Sequence, residues 1–480
     1  MRPSARSAKR RTERPGRRMR VAAIDQGTTS TRLLVVEDGA AAIRHAVRHR
    51  QHHPHAGWVE HDPEELLANV RACAAAAGPA AALGIANQGE SCLAWDGVTG
   101  EPLSPVIVWQ DNRTTDRVER LRAEGAEALT LERAGLPLDA YFSATKLARL
   151  LAEIGPRPNL RLGTTDAWFL QRLTGICATD VTTASRTSLM NLATCAWDEE
   201  LGRLFGVPIE CLPEIRPTVG GFGSVGSVPV TASMVDQQAA LYGHGCRARG
   251  DVKVTFGTGA FALALTGGEI VRAPERGLLP TVAWRIGDTT ERAVDGGVYD
   301  AGAAVEWALR LGLLADPAEL DAFAAPPAIE RGLAFVPALS GLACPHWDRS
   351  AGAMWIGMTG GTTREDLCQA LLEGIALRTA EVVAAMAEHV PLAARLSIDG
   401  GLSRSSYFAQ FLADATGRTV ERRGFDELTA FGCAALAARG LGTTLDAPDQ
   451  GSRRFAPRAL RTDRWRERFA GAIARSRGWR

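Results

Sequence analysis

The sequence predicts an α/β protein of two related halves, and three observations carry that reading. Short apolar runs of strand length alternate with helix-period segments through both halves of the 480 residues. A strand-turn-strand unit occurs twice: residues 21–24 and 33–36 flank a polar turn ending at Arg32, and residues 252–256 and 261–265 flank Gly257-Thr258-Gly259. The composition, 46% hydrophobic and 23% charged, supplies enough apolar side chains for a core in each of two domains.

Taken in order, residues 1–18 hold eight Arg and Lys against Glu13 alone and show no apolar periodicity, so they read as a disordered basic tail. Met19 then opens a buried-strand pattern, and a mis-assigned start with Met19 as the true one is the expected origin of the tail; a basic nucleic-acid arm is the rival. The first hairpin follows and opens a domain over residues 19–247. The polar, Gly-flanked stretch 245–251 marks a boundary, and a second domain over residues 248–480 opens with the second hairpin. Within it, residues 364–388 predict a helix with one apolar stripe, 396–401 a strand and turn, and 427–441 an Ala-rich buried helix. From Arg453 the chain is Arg-rich with Phe455, Leu460, Trp465 and Phe469 interleaved, which reads as an amphipathic end packing on the domain.

Several function classes are excluded or demoted. A net charge of +1 argues against a globally basic nucleic-acid binder. There is no run of eighteen apolar residues and no secretory leader pattern, so a cytoplasmic protein without a membrane partner is expected. The nine cysteines form no C-x-x-C pair, which points to reduced thiols. His52, His53, His55 and His61 have no metal-ligand spacing and read as a loop.

A nucleotide is the first ligand to test. The three lysines, Lys9, Lys146 and Lys253, all lack the preceding glycine of a P-loop. Gly221-Phe-Gly223-Ser-Val-Gly226 matches GxGxxG but lacks the strand-turn-helix context of a dinucleotide site. The hairpins offer another route. Backbone N–H groups and hydroxyls of Asp25-Gln-Gly-Thr28-Thr29-Ser-Thr-Arg32 can surround an anion, Arg32 adds charge, and Asp25 can hold Mg²⁺ through water. A facing Gly257-Thr258-Gly259 turn would complete the clamp, although either turn taken alone is most often just a turn. An Asp before an apolar helix pattern, as in Val235-Asp236-Gln237, reads by itself as an N-cap.

These strings, with Gly84-Ile-Ala-Asn-Gln-Gly-Glu90, Val106-Ile-Val-Trp-Gln-Asp111, Tyr141-Phe-Ser-Ala-Thr-Lys146, Asp236-Gln-Gln-Ala-Ala-Leu241 and Asp399-Gly-Gly401, strongly resemble the FGGY carbohydrate kinases, and among them the glycerol kinases. The resemblance runs from about residue 21 to the C-terminus. It implies two ribonuclease-H-like domains, of the actin and sugar-kinase type, closing on ATP and substrate. It implies that Thr28, Thr29, Arg32, Gly257 and Thr258 hold the phosphates, Asp25 lies near Mg²⁺, and Gly302, Gly401 and Ser405 lie on the adenosine side. Asp236 is implied as the base, and Glu90, Tyr141, Asp236 and Gln237 as polar contacts to a small polyol between the walls Trp109 and Phe261. A homo-oligomer is expected by the same analogy.

The sequence departs from the family pattern at five places. Glu306 stands for a Gln and Ser405 for an Asn on the base side, Val235 for the Gly before the catalytic Asp, and Arg149 for a Trp. Most consequentially, Gly89 stands for an arginine that usually holds glycerol. The expected reaction is phosphorylation of glycerol to glycerol 3-phosphate, with an arginine from elsewhere or water filling the gap. The alternative is a longer acceptor, a tetritol, pentitol or pentulose, and the rival from another class is a non-catalytic ATP-binding sensor.

Overall fold

The computed structural model describes residues 19–321, 323–448 and 450–480. The basic tail and its expected late start lie outside the described residues.

Each half is organised on a sheet with the same core. In the first, strands Ala40–Arg48, Ser30–Glu37, Arg20–Gln26, Ala82–Asn87 and Val228–Val235 lie in that order, the first three antiparallel and the last three parallel. In the second, Thr289–Val298, Ala260–Gly267, Val252–Phe256, Arg395–Gly400 and Thr419–Arg422 repeat both order and directions, with Leu279–Ile286 and Arg453–Phe455 added at the edges. The duplication expected from the two hairpins is therefore a duplication of whole sheets. Parallel central strands are covered on both faces, which explains why Arg20–Gln26 and Ala82–Asn87 read as continuous apolar runs.

The helix Leu428–Arg439 belongs to the second half of the chain but packs on the first sheet, joining Val21, Ala23, Ala86 and Met234 in one apolar cluster. Small residues allow this approach. A Cβ on Gly84 would lie 2.7 Å from the Cys433 sulfur, and one on Gly432 only 1.9 Å from the Ala239 carbonyl oxygen of helix Asp236–Gly243. The helix–helix crossing is thus backbone against backbone.

Helix Arg364–Ala387 forms as expected but is buried on nearly every face rather than along one stripe, because it runs between the second sheet and the outer layer. Its buried Arg378 donates from its two terminal nitrogens to Glu381 and to the carbonyl of Cys344. The C-terminal helix Asp463–Ser476 lays Trp465 and Phe469 into the core, with the Trp465 ring stacked on Phe411 at 4.7 Å between centroids. Among the described residues no helix is long and apolar enough to cross a membrane.

Candidate active site

A cavity of about 130 Å³ lies between the halves. Thr28, Gln88, Gly89, Glu90, Trp109, Tyr141, Arg186, Val235, Asp236 and Gln237 line it from the first half, and Phe261, Thr281 and Asp295 from the second. All seven residues that the sequence singled out for the acceptor meet here, although they come from five separate segments.

Strand ends bring them together. Val235 pairs with Asn87 at the ends of two parallel strands, so the turn carrying Gly89 and Glu90 meets the start of helix Asp236–Gly243. Glu90 adopts a left-handed φ of 58°, which a non-glycine residue adopts only where surrounding contacts hold it. Here the contacts are Arg186 Nε, which donates to its carboxylate at 2.6 Å, and Ser143, whose hydroxyl donates to its carbonyl at 2.9 Å. The Trp109 indole donates to the Thr28 hydroxyl at 3.1 Å and meets the Tyr141 ring edge-on. Lys146 is fully buried and donates to the Tyr141 carbonyl at 2.6 Å, tying that wall in place.

Asp236 is the first residue of its helix, and Val235, which has no side-chain hydrogen bond to offer, occupies the cap position. The carboxylate is raised to about 6, first by burial and then by the charge of Glu90. Burial also raises Glu90 and Asp295, against the pull of Arg186. Lys253 donates to Gln237 Oε1 at 2.6 Å and to the Thr255 hydroxyl at 2.9 Å, which fixes Gln237 beside Asp236.

The nucleotide-side residues gather at the two hairpins. Asp25 sits opposite Arg32 and Ala86 in its sheet, and it is raised to about 7 by burial, then by Asp236 and Glu427. Thr29 is exposed at the turn. Arg32 donates to both carboxylate oxygens of Glu427 at 2.9 and 3.0 Å, linking the first hairpin to a residue 395 positions away. Across the cleft Gly257 and Thr258 are exposed, and their carbonyls accept the N–H groups of Gly302 and of Ala301 and Ala303. A Cβ on Gly302 would come 2.4 Å from the Gly257 carbonyl oxygen, so only glycine permits this approach. Gly401 is exposed one residue after the strand paired to Phe256. The Ser405 hydroxyl donates to the Leu320 carbonyl at 2.7 Å and accepts the Phe408 N–H, capping helix Ser406–Thr416. Glu306 is exposed on helix Gly302–Arg310.

Sequence reasoning missed Arg186, Asp295, Lys253, Gln88 and Glu427. One trace of the first was present. The run Asp180-Val-Thr-Thr-Ala-Ser-Arg186-Thr-Ser188 is rich in polar side chains, and all nine of its residues are buried. Asp180 organises it by accepting from the N–H groups of Thr182 and Thr183 and the hydroxyls of Thr182 and Thr218, and the Thr182 hydroxyl in turn accepts the Val235 N–H at 3.0 Å.

Residues 20–243 match the N-terminal domain of the FGGY family of carbohydrate kinases, and residues 252–441 match its C-terminal domain. The chain belongs to that family. As a carbohydrate kinase it is similar to the glycerol kinase of Gloeobacter violaceus, with 44% identity over 443 residues and 88% of each chain covered. The glycerol kinase of Thermus brockianus is 42% identical over 493 residues, covering 95% of this chain and 98% of the relative. Among solved structures, Plasmodium falciparum glycerol kinase with ADP superposes with a TM-score of 0.87 at 30% identity, covering 96% of this chain and 98% of the other. A ligand-bound xylulose kinase from Lactobacillus acidophilus shares the fold, with a TM-score of 0.86 at 21% identity and coverage of 96% and 99%.

Proposed function

We propose that this kinase transfers the γ-phosphoryl group of ATP to a primary hydroxyl of glycerol, giving glycerol 3-phosphate. The observation that carries the reading is the convergence of Glu90, Trp109, Tyr141, Asp236, Gln237 and Phe261 on one small cavity beside the first hairpin. Its fit to a polyol is supported by buried polar atoms without partners among the described residues: both amide atoms of Gln88, and Asp295 Oδ1.

Asp236 acts as the base. With a pKa raised to about 6 it is ionised at neutral pH yet basic enough to take the hydroxyl proton as the oxygen attacks phosphorus in line. ADP leaves with the electron pair of the broken P–O bond. The exposed Gly257-Thr258 turn, where a Cβ on Gly257 would meet no atom nearer than 3.9 Å, leaves room for the phosphates against backbone N–H groups. Arg32 reaches them by exchanging Glu427 for phosphate.

Asp25 suits Mg²⁺, since a carboxylate crowded by Asp236 and Glu427 gains from a cation and Mg²⁺ commonly takes one or two carboxylates together with substrate phosphates. When bound, Mg²⁺ would neutralise charge on the phosphates. Closure of the two halves would exclude water and so limit hydrolysis of ATP.

The small acceptor is favoured over a tetritol or pentulose because the room left at Gly89 is already taken. A Cβ there would lie 3.2 Å from the Val235 Cγ2. The test is ADP release with Mg-ATP across glycerol, erythritol, ribitol, xylitol, dihydroxyacetone and pentuloses. Glycerol is expected to give the highest kcat/KM; a longer polyol or a ketose in first place overturns the reading. The homo-oligomer expected from family resemblance is checked by light scattering, as a mass at a multiple of 51.1 kDa.

A further inference from the structure

A polyol hydroxyl buried in a protein needs a donor for its oxygen as well as an acceptor for its proton. Acceptors are abundant around this cavity: Glu90, Asp236 and Asp295. Donors are scarce. The Trp109 indole is committed to Thr28, and among the described residues that line the cavity Arg186 is the one cation. Of its five N–H donors, those on Nε and Nη2 serve Glu90 at 2.6 Å and Asp295 at 3.3 Å. Arg186 is 5% exposed, so its charge is held there by two carboxylates, one from each half of the molecule.

Another part of the lining is apolar. Gly89 offers no side chain, and the isopropyl group of Val235 abuts it, at 3.2 and 3.5 Å from the place a Cβ would take. These two positions, each a departure from the family pattern, are therefore in contact: a long side chain at 89 and a branched one at 235 would compete for one space. A second cavity of about 90 Å³ adjoins the first, and Arg186, Asp295, Tyr141 and Phe261 are walls of both. The Arg186–Asp295 pair thus belongs to the wall that the two cavities share.

We propose that Arg186 is the acceptor-binding cation and size gate of this kinase, and that Gly89 and Val235 form a matched apolar wall of the same cavity. This rests on the glycerol reading above. Arg186 donates to an acceptor hydroxyl whose proton goes to Asp295 or Glu90, and the carbon edge of the acceptor lies along Gly89 and Val235.

Steady-state kinetics of the full chain test this with the variants Arg186→Lys, Arg186→Ala, Gly89→Arg, Val235→Gly and Gly89→Arg/Val235→Gly. Loss of a charge-assisted donor is expected to raise KM for glycerol about 10- to 100-fold in both Arg186 variants. KM for ATP should move less than about threefold. Arg186→Ala should also shift the ratio of kcat/KM for erythritol to that for glycerol upward, and because both acceptors share one preparation, the ratio is independent of how much of it is folded. Gly89→Arg alone should impair glycerol use, and adding Val235→Gly should restore it, a non-additivity read from the double-mutant cycle. The proposal is overturned if KM for glycerol stays put in both Arg186 variants, if KM for ATP rises in step with it, if the erythritol ratio does not change, or if Gly89→Arg is tolerated as well with Val235 as without it. If the parent chain turns over no glycerol, the glycerol reading falls and takes this one with it; turnover of glycerol with unaffected Arg186 variants overturns this one alone.

Discussion

At the first hairpin and beside it the cleft presents reactive side chains, namely Asp25, Glu90, Asp236 and Arg186, whereas at the second hairpin and the turns packed on it the chain presents mainly backbone. Gly259, Gly302 and Gly400 bring main-chain atoms within distances that any Cβ would violate, as at Gly302 against Gly257 and at Gly400, whose Cβ would lie 2.1 Å from the Phe256 carbonyl oxygen. Both halves share one strand order, so the difference is not one of scaffold. It follows from what each side has to hold: polyol hydroxyls call for directed acceptors and donors, whereas phosphates can be held by rows of N–H groups on closely packed turns.

The contrast breaks most sharply at Asp236. Replacing it with Asn should lower kcat about 10²- to 10⁴-fold, the usual contribution of a positioned base. The melting temperature should not fall, because a buried carboxylate beside Glu90 and Asp25 is neutralised rather than stripped of a partner. A variant that keeps a tenth of parental kcat would remove Asp236 from the chemistry.

A side-chain effect of similar size is expected in the second half, away from the cleft. Glu373 accepts the N–H groups of Ala328 and Ile329 and the Tyr407 hydroxyl, and burial raises it to about 7. In the unfolded chain it titrates near 4.5, so between about 4.5 and 7 the folded chain binds the extra proton. This contribution to stability is complete below about 4.5 and is lost as pH rises through about 7, on the order of 3 kcal/mol in all. Denaturant melts from pH 4.5 to 8 should show that slope in the parent and lose it in Glu373→Gln, whatever the baseline stability of the variant.

At the joint between halves, Gly432→Ala forces a methyl group against the Ala239 carbonyl and should destabilise by about 1–3 kcal/mol, read from urea unfolding. The smallest and most discriminating pair compares Gly302→Ala with Gly257→Ala. The first has no room and should cost both stability and affinity for ATP. The second meets only open space, so its stability should stay within about 0.5 kcal/mol of the parent while KM for ATP rises. Equal loss of stability in both would contradict a backbone-lined nucleotide side.

Local patterns made much of this legible. The two hairpins and the helices near 364 and 428 lie in short strings whose residue types and order mark them, while the acceptor set Glu90, Trp109, Tyr141, Asp236, Gln237 and Phe261 was implied by the resemblance of such strings to a known family. The structure adds what no local string holds. Arg186 finds Glu90 and Asp295 at separations of 96 and 109 residues, and Lys253 reaches Gln237 across the domain boundary. The Ser405 hydroxyl, in a position that the resemblance puts on the adenosine side, donates to a carbonyl 85 positions back.

By itself, then, the sequence determined the elements and the duplication, because periodicity and turn residues act over a few residues at a time, and it implied the kind of chemistry through the resemblance of its motifs to a known family. Only the tertiary structure decided which cation stands in the acceptor cavity, that Gly89 and Val235 share one space, and that a helix from the second half of the chain seals the first sheet. Those outcomes depend on distances between segments far apart in the chain, and such distances are fixed only when the sheets twist, stack and exclude water together.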